Sequence, residues 1–245
     1  MHHTIQFRDL TLRDGQQSLA TTRMTTEQAL RVLKTISDAG FPYLELWGGA
    51  TFDSAIRFLN EDPFERLKAF RDNLGPDTFK IQALLRGQNL FAYQPYPDDL
   101  VIAFVKRAAA SGVHVMRIFD ALNDWRNLQI PTLACKAYGI EMEAALSYTV
   151  SPVHTLEYYL RYARKLEEEG ADRIAIKDMA GILRPWDALR LIEGLKATVS
   201  IPVSLHSHDT AGVGTFNALL GMLNGVDAID TCITPFASSE WLSAA

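Results

Sequence analysis

What the sequence lacks removes several classes of protein from consideration. Only two of its 245 residues are cysteines, Cys135 and Cys232, and they are far apart without CxxC spacing, so neither a disulfide framework nor a thiolate metal site is expected. Acidic residues outnumber basic ones by 29 to 24, the formal net charge is −5, and no basic cluster suits nucleic acid. No run approaches the roughly 18 apolar residues of a membrane span, and the N-terminus has no apolar signal core. We therefore expect a cytoplasmic protein that binds no nucleic acid and does not insert into membranes.

Short strand-type runs alternate with amphipathic stretches along the whole chain, at a spacing of roughly thirty residues. The predicted strands lie near residues 5–10, 43–47, 79–85, 115–119, 141–147, 173–177, 202–206 and 228–233. The predicted helical stretches are 25–40, 53–73, 98–112, 155–170, 184–198 and 214–225. Several stretches end in a residue type that commonly stops helices: Gly40, Gly112, Gly170 and Gly225.

This alternation is typical of parallel strands joined by right-handed crossovers. Eight such strands predict an α/β fold, a closed (β/α)8 TIM barrel, as a single domain over residues 1–245. No GxGxxG motif follows the first strand, which weakens the alternative of a dinucleotide-binding sheet. After the eighth strand only PFASSEWLSAA remains, at 235–245, so we expect the last helix to be short or incomplete and the chain to be truncated.

Four potential metal ligands stand at the ends of predicted strands: Asp14, Lys177, His206 and His208. Side chains two apart on a strand point to the same face, so the two histidines can bind one ion together. A carboxylate and two imidazoles suit Zn²⁺, Mn²⁺ or Co²⁺ and do not suit Ca²⁺. An inward lysine must have its charge paired or removed. Two solutions stay open for Lys177: a salt bridge to Asp178 or Asp14, or carbamylation by CO₂, which creates an anionic oxygen ligand.

Two arginines and a glutamine near the same strand ends are candidates for catalysis and substrate binding. Arg13 and Gln17 could hold a carboxylate or a carbonyl group. Arg86 follows the third strand and could clamp a carboxylate with two hydrogen bonds. The structural alternatives are an ion pair between Arg13 and Asp14, and an ion pair from Arg86 to Glu45 or Asp53.

The segment after the second strand, WGGATFD at 47–53, carries a pair of glycines that would allow a ligand to approach the backbone closely. Asp53 would lie at the rim of the predicted site, although an Asp in this position also serves as a helix N-cap. Tyr93, in the segment after the third strand, has plain packing as its structural alternative.

These motifs together resemble a known family. LRDGQQSLATTRM, WGGATFDSAIRFLNEDPFERL, LLRGQNLFAY, RIFDALNDWRNL, SYTVSPVHT, IKDMAGIL and LHSHDTAG are similar to the carboxyltransferase barrel of biotin-dependent pyruvate carboxylases and oxaloacetate decarboxylase α subunits. The similarity covers about residues 5–236. FDALNDWRNL and SYTVSPVHT resemble the decarboxylase α subunit, the transcarboxylase 5S subunit and stand-alone pyruvate carboxylase B subunits more than the long single-chain carboxylases.

The resemblance implies a role for each candidate residue. The implied metal ligands are Asp14, a carbamylated Lys177, His206 and His208. Arg86 and Gln17 would hold pyruvate or oxaloacetate, and Arg13 would help to position the reacting groups. Asp53 and Tyr93 would line the entrance used by biotin, which is presented by a separate carrier domain or subunit. A homodimer is also expected.

The implied reaction transfers a carboxyl group between carboxybiotin and pyruvate or oxaloacetate through a metal-stabilised enolpyruvate. Two alternatives remain: an acyl-CoA lyase or Claisen-type synthase of the same barrel superfamily, and a non-catalytic assembly subunit. The sequence departs from the family pattern at Gln16, where RDGQQS replaces the usual RDAHQS. The family also continues into a helical capping domain that supplies a threonine for proton transfer. Nothing here matches that domain, so we expect metal binding to survive better than biotin-dependent chemistry.

Overall fold

Eight parallel strands close into a barrel in the order in which they occur along the chain. This computed structural model describes residues 4–74, 79–234 and 236–237. The strands are β1 (Gln6–Asp9), β2 (Tyr43–Gly48), β3 (Lys80–Leu85), β4 (Val115–Ile118), β5 (Glu141–Ser147), β6 (Arg173–Asp178), β7 (Val203–Ser207) and β8 (Ala228–Thr231). β1 pairs with both β2 and β8, which completes the ring. The predicted (β/α)8 fold and all eight strand positions are confirmed.

Helices connect successive strands on the outside of the barrel. They are α1 (Gln16–Leu19), α2 (Thr26–Asp38), α3 (Gly49–Ser54), α4 (Pro63–Leu74), α5 (Asp98–Ala110), α6 (Gln129–Ala137), α7 (Leu156–Glu168), α8 (Pro185–Thr198) and α9 (Gly214–Leu223). Thr25 starts α2 with a capping box, because its hydroxyl accepts the Gln28 N–H while the Gln28 side chain accepts the Thr25 N–H. The predicted helix stops all have positive φ: Gly40 (+83°), Gly112 (+113°), Gly170 (+96°) and Gly225 (+82°). No helix among the described residues is both long and apolar enough to cross a bilayer.

Three local features differ from the sequence-based prediction. Helix α6 was not predicted, because it is short, has Pro131 in its first turn and buries a face of small residues. The stretch predicted as one helix over 53–73 is interrupted at Asn60, which adopts a left-handed conformation with φ of 54°. Pro63 then starts α4, since proline suits the first turn of a helix.

The third difference concerns the segment that carries Asp14. Asp14 is expected at the end of the first strand, but β1 ends five residues earlier, at Asp9. A π-helical turn follows at Thr11–Gly15 and leads directly into α1. Asp14 therefore lies in a buried turn after the strand. The predicted short last helix falls on residue 235 and residues 238–245, which lie outside the described part of the chain.

The large apolar core lies between the barrel wall and the helices. Trp47 is fully buried there, with the rings of Phe52, Phe64 and Phe104 at centroid distances of 5.8, 5.6 and 5.6 Å. Its indole N–H donates to the carbonyl of Pro63 at 3.0 Å. The barrel interior differs from this core, because it contains buried charged side chains, among them Arg8, Arg117, Glu143 and Asp230. That polar interior leads up to the carboxyl ends of the strands, where barrel enzymes place their active sites.

Candidate active site

Three of the four predicted metal ligands meet at the carboxyl ends of the strands. One ligand atom from each of Asp14, His206 and His208 lies within 4.8 Å of the others. The Asp14 Oδ2 atom is 3.6 Å from His206 Nε2 and 3.7 Å from His208 Nε2. β7 supplies His206, His208 follows one residue after that strand ends, and the turn after β1 supplies Asp14. A carboxylate and two imidazoles at this separation can surround one small cation.

Lys177, the fourth predicted ligand, belongs to the same cluster. Its Nζ atom is 3.0 Å from His206 Nε2, and its side chain is fully buried. Burial lowers the pKa of Lys177 to about 8, although Asp14 acts in the opposite direction. The alternative salt bridge to Asp178 does not form, because that carboxylate accepts the backbone N–H groups of Ile182 and Leu183 at 3.1 and 2.9 Å.

The protonation states of the cluster suit metal binding. Burial would raise the pKa of Asp14, but the Arg13 guanidinium, a hydrogen bond from His208 and the charge of Lys177 hold that pKa well below its usual range. Burial also keeps the pKa of His206 well below its usual value, with Lys177 and Arg117 adding to the effect. The carboxylate is thus ionised and this imidazole neutral, which are the forms that coordinate metals.

Arg13 is held by two carboxylates. Its Nη2 atom lies 2.7 Å from Asp14 Oδ2, and its Nε atom donates to Glu45. The predicted ion pair between Arg13 and Asp14 is therefore present. The guanidinium fixes the orientation of the Asp14 carboxylate, while the role of Arg13 in positioning the reacting groups stays a prediction.

A cavity of about 170 Å³ opens beside the metal-ligand cluster. The polar residues that line it are Arg13, Asp14, Gln17, Ser18, Arg86, Lys177 and His208. Apolar walls come from Leu84, Leu90, Phe119 and Met179, and Gly49 and Ala50 complete the lining. A Cβ on Gly49 would come within 2.8 Å of the carbonyl oxygen of Leu90, so the close approach of the adjoining loop requires glycine there.

Arg86 contributes a guanidinium with most of its donors available. Its Nη1 atom donates to the carbonyl of Ala92 at 2.9 Å, and its Cζ atom lies 4.9 Å from the centroid of the Tyr93 ring. Within the described ranges Arg86 makes no ion pair, so neither alternative partner, Glu45 or Asp53, engages it. A guanidinium has five N–H donors, and Arg86 can therefore bind a carboxylate at the cavity wall.

Two predicted site residues lie away from this cavity. Asp53 forms an ion pair with Arg57, whose Nε atom is 2.6 Å from Asp53 Oδ1, and it lies inside α3 and does not cap the helix. Tyr93 is 90% exposed and touches the site only through Arg86. Their role in lining the entrance for biotin stays a prediction.

The structure joins predicted site residues to buried charged residues that the sequence did not single out, Arg8, Arg117, Glu143 and Asp230, in one set. We call it the buried charge network, and every member is at most 3% exposed. Its cations are Arg8, Arg13, Arg117 and Lys177, and its carboxylates are Asp14, Glu45, Glu143 and Asp230. Contacts link seven of the members, for example Arg8 to Glu143 at 2.7 Å and Arg117 to Asp230 at 2.5 Å. Lys177 joins them through His206, whose Nε2 atom is 3.0 Å from the Lys177 Nζ atom. Single charged residues inside otherwise apolar strands, such as Arg117 in VMRI and Asp230 in AIDT, were the signal that could have found them.

Comparison with known sequences identifies related proteins. The chain matches the HMGL-like family over residues 4–235. It is 48% identical over 229 residues to a pyruvate carboxylase subunit from Methanocaldococcus jannaschii, and the match covers 94% of this chain and 40% of that protein. It is 43% identical over 231 residues to the 2-oxoglutarate carboxylase large subunit of Hydrogenobacter thermophilus, with 94% and 35% covered. The methylmalonyl-CoA carboxyltransferase 5S subunit of Propionibacterium freudenreichii is 45% identical over 228 residues, with 92% and 45% covered.

Solved structures give the same relationship. The carboxyl transferase domain of Rhizobium etli pyruvate carboxylase, solved with pyruvate, superimposes with a TM-score of 0.95 at 38% sequence identity. The match covers 99% of this chain and 42% of that one. This chain therefore spans less than half the length of the curated relatives and solved chains compared here.

Proposed function

This chain belongs to the HMGL-like family, and from that premise we propose that it is the metal-binding barrel of a biotin-dependent carboxyltransferase. The reaction moves a carboxyl group between carboxybiotin and pyruvate, or runs in reverse from oxaloacetate. One observation carries the proposal: a single cavity is lined both by the metal-ligand cluster and by the Arg86 guanidinium. A 2-oxo acid presents a carboxylate and a carbonyl on adjacent carbons, which match these two groups.

In the proposed complex Arg86 binds the carboxylate of the substrate, and Gln17 lies within the same lining to hold an oxygen. Asp14, His206 and His208 would bind a divalent transition metal, with Zn²⁺, Mn²⁺ and Co²⁺ as the candidates. Such a metal would polarise the 2-oxo group and stabilise the negative charge of an enolate. The buried walls of Leu84 and Phe119 exclude water, which strengthens these electrostatic interactions.

In the carboxylation direction, the carboxyl group passes from biotin to pyruvate as CO₂. Cleavage of the N–CO₂ bond of carboxybiotin releases CO₂ and leaves a biotin anion, which takes the methyl proton of pyruvate. The resulting enolate carbon forms a C–C bond to CO₂ and gives oxaloacetate. The residues of this chain hold the 2-oxo acid and stabilise its enolate, while biotin arrives on a separate carrier. The carrier, a homodimeric assembly and a cytoplasmic location remain predictions.

We also propose that Lys177 is carbamylated in the metal-bound protein. The neutral amine adds to the carbon of CO₂, one proton leaves to solvent, and the product is an anion that can coordinate the metal. The support is charge balance, because the four cations of the buried charge network equal its four carboxylates while Lys177 is an ammonium. A divalent cation would add two uncompensated positive charges in this buried interior, at high cost. Replacing the ammonium by a carbamate restores neutrality.

The experiment is an assay of pyruvate release from oxaloacetate by the metal-loaded protein, with and without free biotin. We expect release to depend on the metal and to be stimulated by biotin, and we expect Arg86→Lys to lose most of it. Parallel assays of acyl-CoA cleavage test the lyase alternative. Cleavage of an acyl-CoA without biotin-dependent turnover would replace the carboxyltransferase proposal. The absence of both activities from a metal-loaded protein would favour the assembly role.

A further inference from the structure

We propose that Asp230, in β8, is a positioning residue that orients the His206 imidazole and fixes the ring nitrogen at which it carries its proton. The inference rests on the metal site proposed above. Neither the strand-end pattern nor the motifs singled out Asp230. Its side chain lies one layer below the metal-ligand cluster, inside the barrel, and it does not touch the cavity.

The contacts of His206 Nδ1 carry the argument. This atom lies 2.8 Å from Asp230 Oδ2 and 3.1 Å from Arg117 Nη1. Arg117 Nη1 also donates to the same Asp230 oxygen at 2.5 Å. A guanidinium can only donate hydrogen bonds, and an ionised carboxylate can only accept them.

These roles determine the tautomer of the imidazole. With the proton on Nδ1, both His206 and Arg117 donate to one carboxylate oxygen. The longer contact of 3.1 Å between these two donors is then the only unfavourable one of the three. With Nδ1 unprotonated, its lone pair would face the lone pairs of Asp230 Oδ2 at 2.8 Å, which is repulsive. The proton therefore belongs on Nδ1, and Nε2 directs its lone pair towards Asp14 and Lys177, where the metal would bind.

The barrel register makes this arrangement rigid. Ser204 of β7 is paired with Ala228 of β8, so the residues two positions further along, His206 and Asp230, lie side by side on the inner face. Asp230 is also paired with Arg8 of β1. Because neighbouring strands hold both side chains, the imidazole has little freedom to turn away from the metal position.

The test is the affinity of the protein for Co²⁺, measured by competition with a chelator. In Asp230→Asn the side chain keeps its shape, but its amide group can donate to Nδ1 and favour the tautomer with the proton on Nε2. We expect this variant to bind Co²⁺ about ten- to a hundredfold more weakly than the wild type. The visible spectrum of the bound Co²⁺ should change as well, since it reports the ligand geometry.

Glu143→Gln is the matched control. Glu143 is equally buried and accepts hydrogen bonds from Arg117, Arg8 and Ser204, and these bonds do not involve His206. This variant removes one buried charge from the same network without changing the partner of the imidazole. Equal losses in the two variants, or wild-type affinity in Asp230→Asn, would show that Asp230 has only a general structural effect.

A second measurement reads the tautomer of His206 directly, in protein whose buried charge network is unaltered. The ¹⁵N NMR spectrum of histidine-labelled, metal-free protein reports which ring nitrogen is protonated, and a His206→Gln sample identifies the signal. We expect the proton on Nδ1, and a proton on Nε2 would overturn the inference. If the wild type fails to bind Co²⁺, the proposed metal site is itself wrong. If it binds Co²⁺ and His206 shows the other tautomer, only the role of Asp230 is wrong.

Discussion

At the scale of single residues, the unusual property of this barrel is that full burial and full charge coexist. Burial alone would lower the pKa of Arg117, but Asp230, Glu143 and Glu45 raise it well above its ordinary value. In turn Arg117 and Arg8 lower the pKa of Glu143 to about 2 despite burial. Removing one member of such a network leaves an uncompensated charge, typically at a cost of about 3–5 kcal/mol. We therefore expect the network to hold Asp14 and His206, the proposed metal ligands that it contacts, each in one orientation.

Arg86 gives the first residue-scale prediction. Arg86→Lys keeps the positive charge but loses the planar pair of donors that can bind both oxygens of a carboxylate. A charge-assisted hydrogen bond is worth about 1.5–3 kcal/mol, so we expect kcat/KM for the 2-oxo acid to fall about ten- to a hundredfold. Steady-state kinetics and metal analysis of the same sample provide the measurement.

Metal content of Arg86→Lys should stay at the wild-type level, because Arg86 is not among the clustered metal ligands. Arg57→Lys is a suitable control, since Arg57 is an exposed arginine paired with Asp53. If the wild type and both variants have the same kinetics, Arg86 does not bind the substrate. Its role would then be structural, through the hydrogen bond that it donates to the carbonyl of Ala92.

Asp9 gives a prediction about pH. Its carboxyl group is fully buried at the end of β1, and burial raises its pKa to about 6 although Thr11 donates two hydrogen bonds. Because the folded protein holds this proton more tightly than the unfolded chain does, the contribution of Asp9 to stability is fully present below about pH 4 and is lost as pH rises through about 6. A shift of about two pKa units corresponds to about 3 kcal/mol.

Asp9→Asn should remove this contribution. The difference in unfolding free energy between variant and wild type should then change by up to about 3 kcal/mol between pH 4 and pH 7, in favour of the variant at pH 7. Denaturant unfolding of metal-free samples across that range measures it, with the exposed Asp38→Asn as the control. A difference that does not vary with pH would mean that the Asp9 carboxyl titrates normally.

At the scale of elements, the strands were predictable and several connections were not. A buried parallel strand is recognised by its short apolar run, and all eight runs were found. Helix α6 was not predicted because it has only nine residues and contains Pro131 in its first turn. The turn at Thr11–Gly15 was not predicted because its residues are buried like those at the end of β1. No change in the spacing of buried residues marks the end of the strand.

The connection after β3 leads to an element-scale prediction. Asn127, in the connection after β4, accepts the N–H of Gln88 at 3.0 Å and donates to Asp120 at 2.8 Å. These bonds hold the 3₁₀ turn Gly87–Asn89 that directly follows Arg86. Asn127→Ala should therefore loosen the guanidinium and raise KM for the 2-oxo acid about tenfold, since misplacement of about 1 Å can cost even more.

Metal affinity of Asn127→Ala should remain unchanged, which separates loop positioning from damage to the metal site. Asn73→Ala is the control, because exposed Asn73 donates one bond to a helix carbonyl far from the site. The interpretation fails if Asn127→Ala lowers only the unfolding free energy and leaves KM at the wild-type value.

At the scale of the whole molecule, the closed barrel determines which part of the site the sequence could reveal. Asp14, His206 and His208 could be predicted because carboxyl ends of parallel strands converge at one end of a barrel. The pairings within the buried charge network could not be predicted, since they depend on which strands face each other across the interior. Arg117 and Asp230, for example, come from β4 and β8 and meet across the barrel.

Metal removal gives the last prediction. The proposed ion would connect Asp14, near the start of the chain, with His206 and His208, near the end of the described part, so it should stabilise the entire barrel. Metal at about 100 times its dissociation constant adds about 2.7 kcal/mol to the unfolding free energy. For a chain of 245 residues this corresponds to a rise in Tm of roughly 5–10 °C over chelator-treated protein. Calorimetry with Zn²⁺, Mn²⁺ or Co²⁺ measures the rise. It should disappear in His208→Ala and persist in His154→Ala, where the lost histidine contacts Ser151 in a surface loop. A rise that persists in both variants would place the ion elsewhere, and no rise in the wild type would refute the metal site.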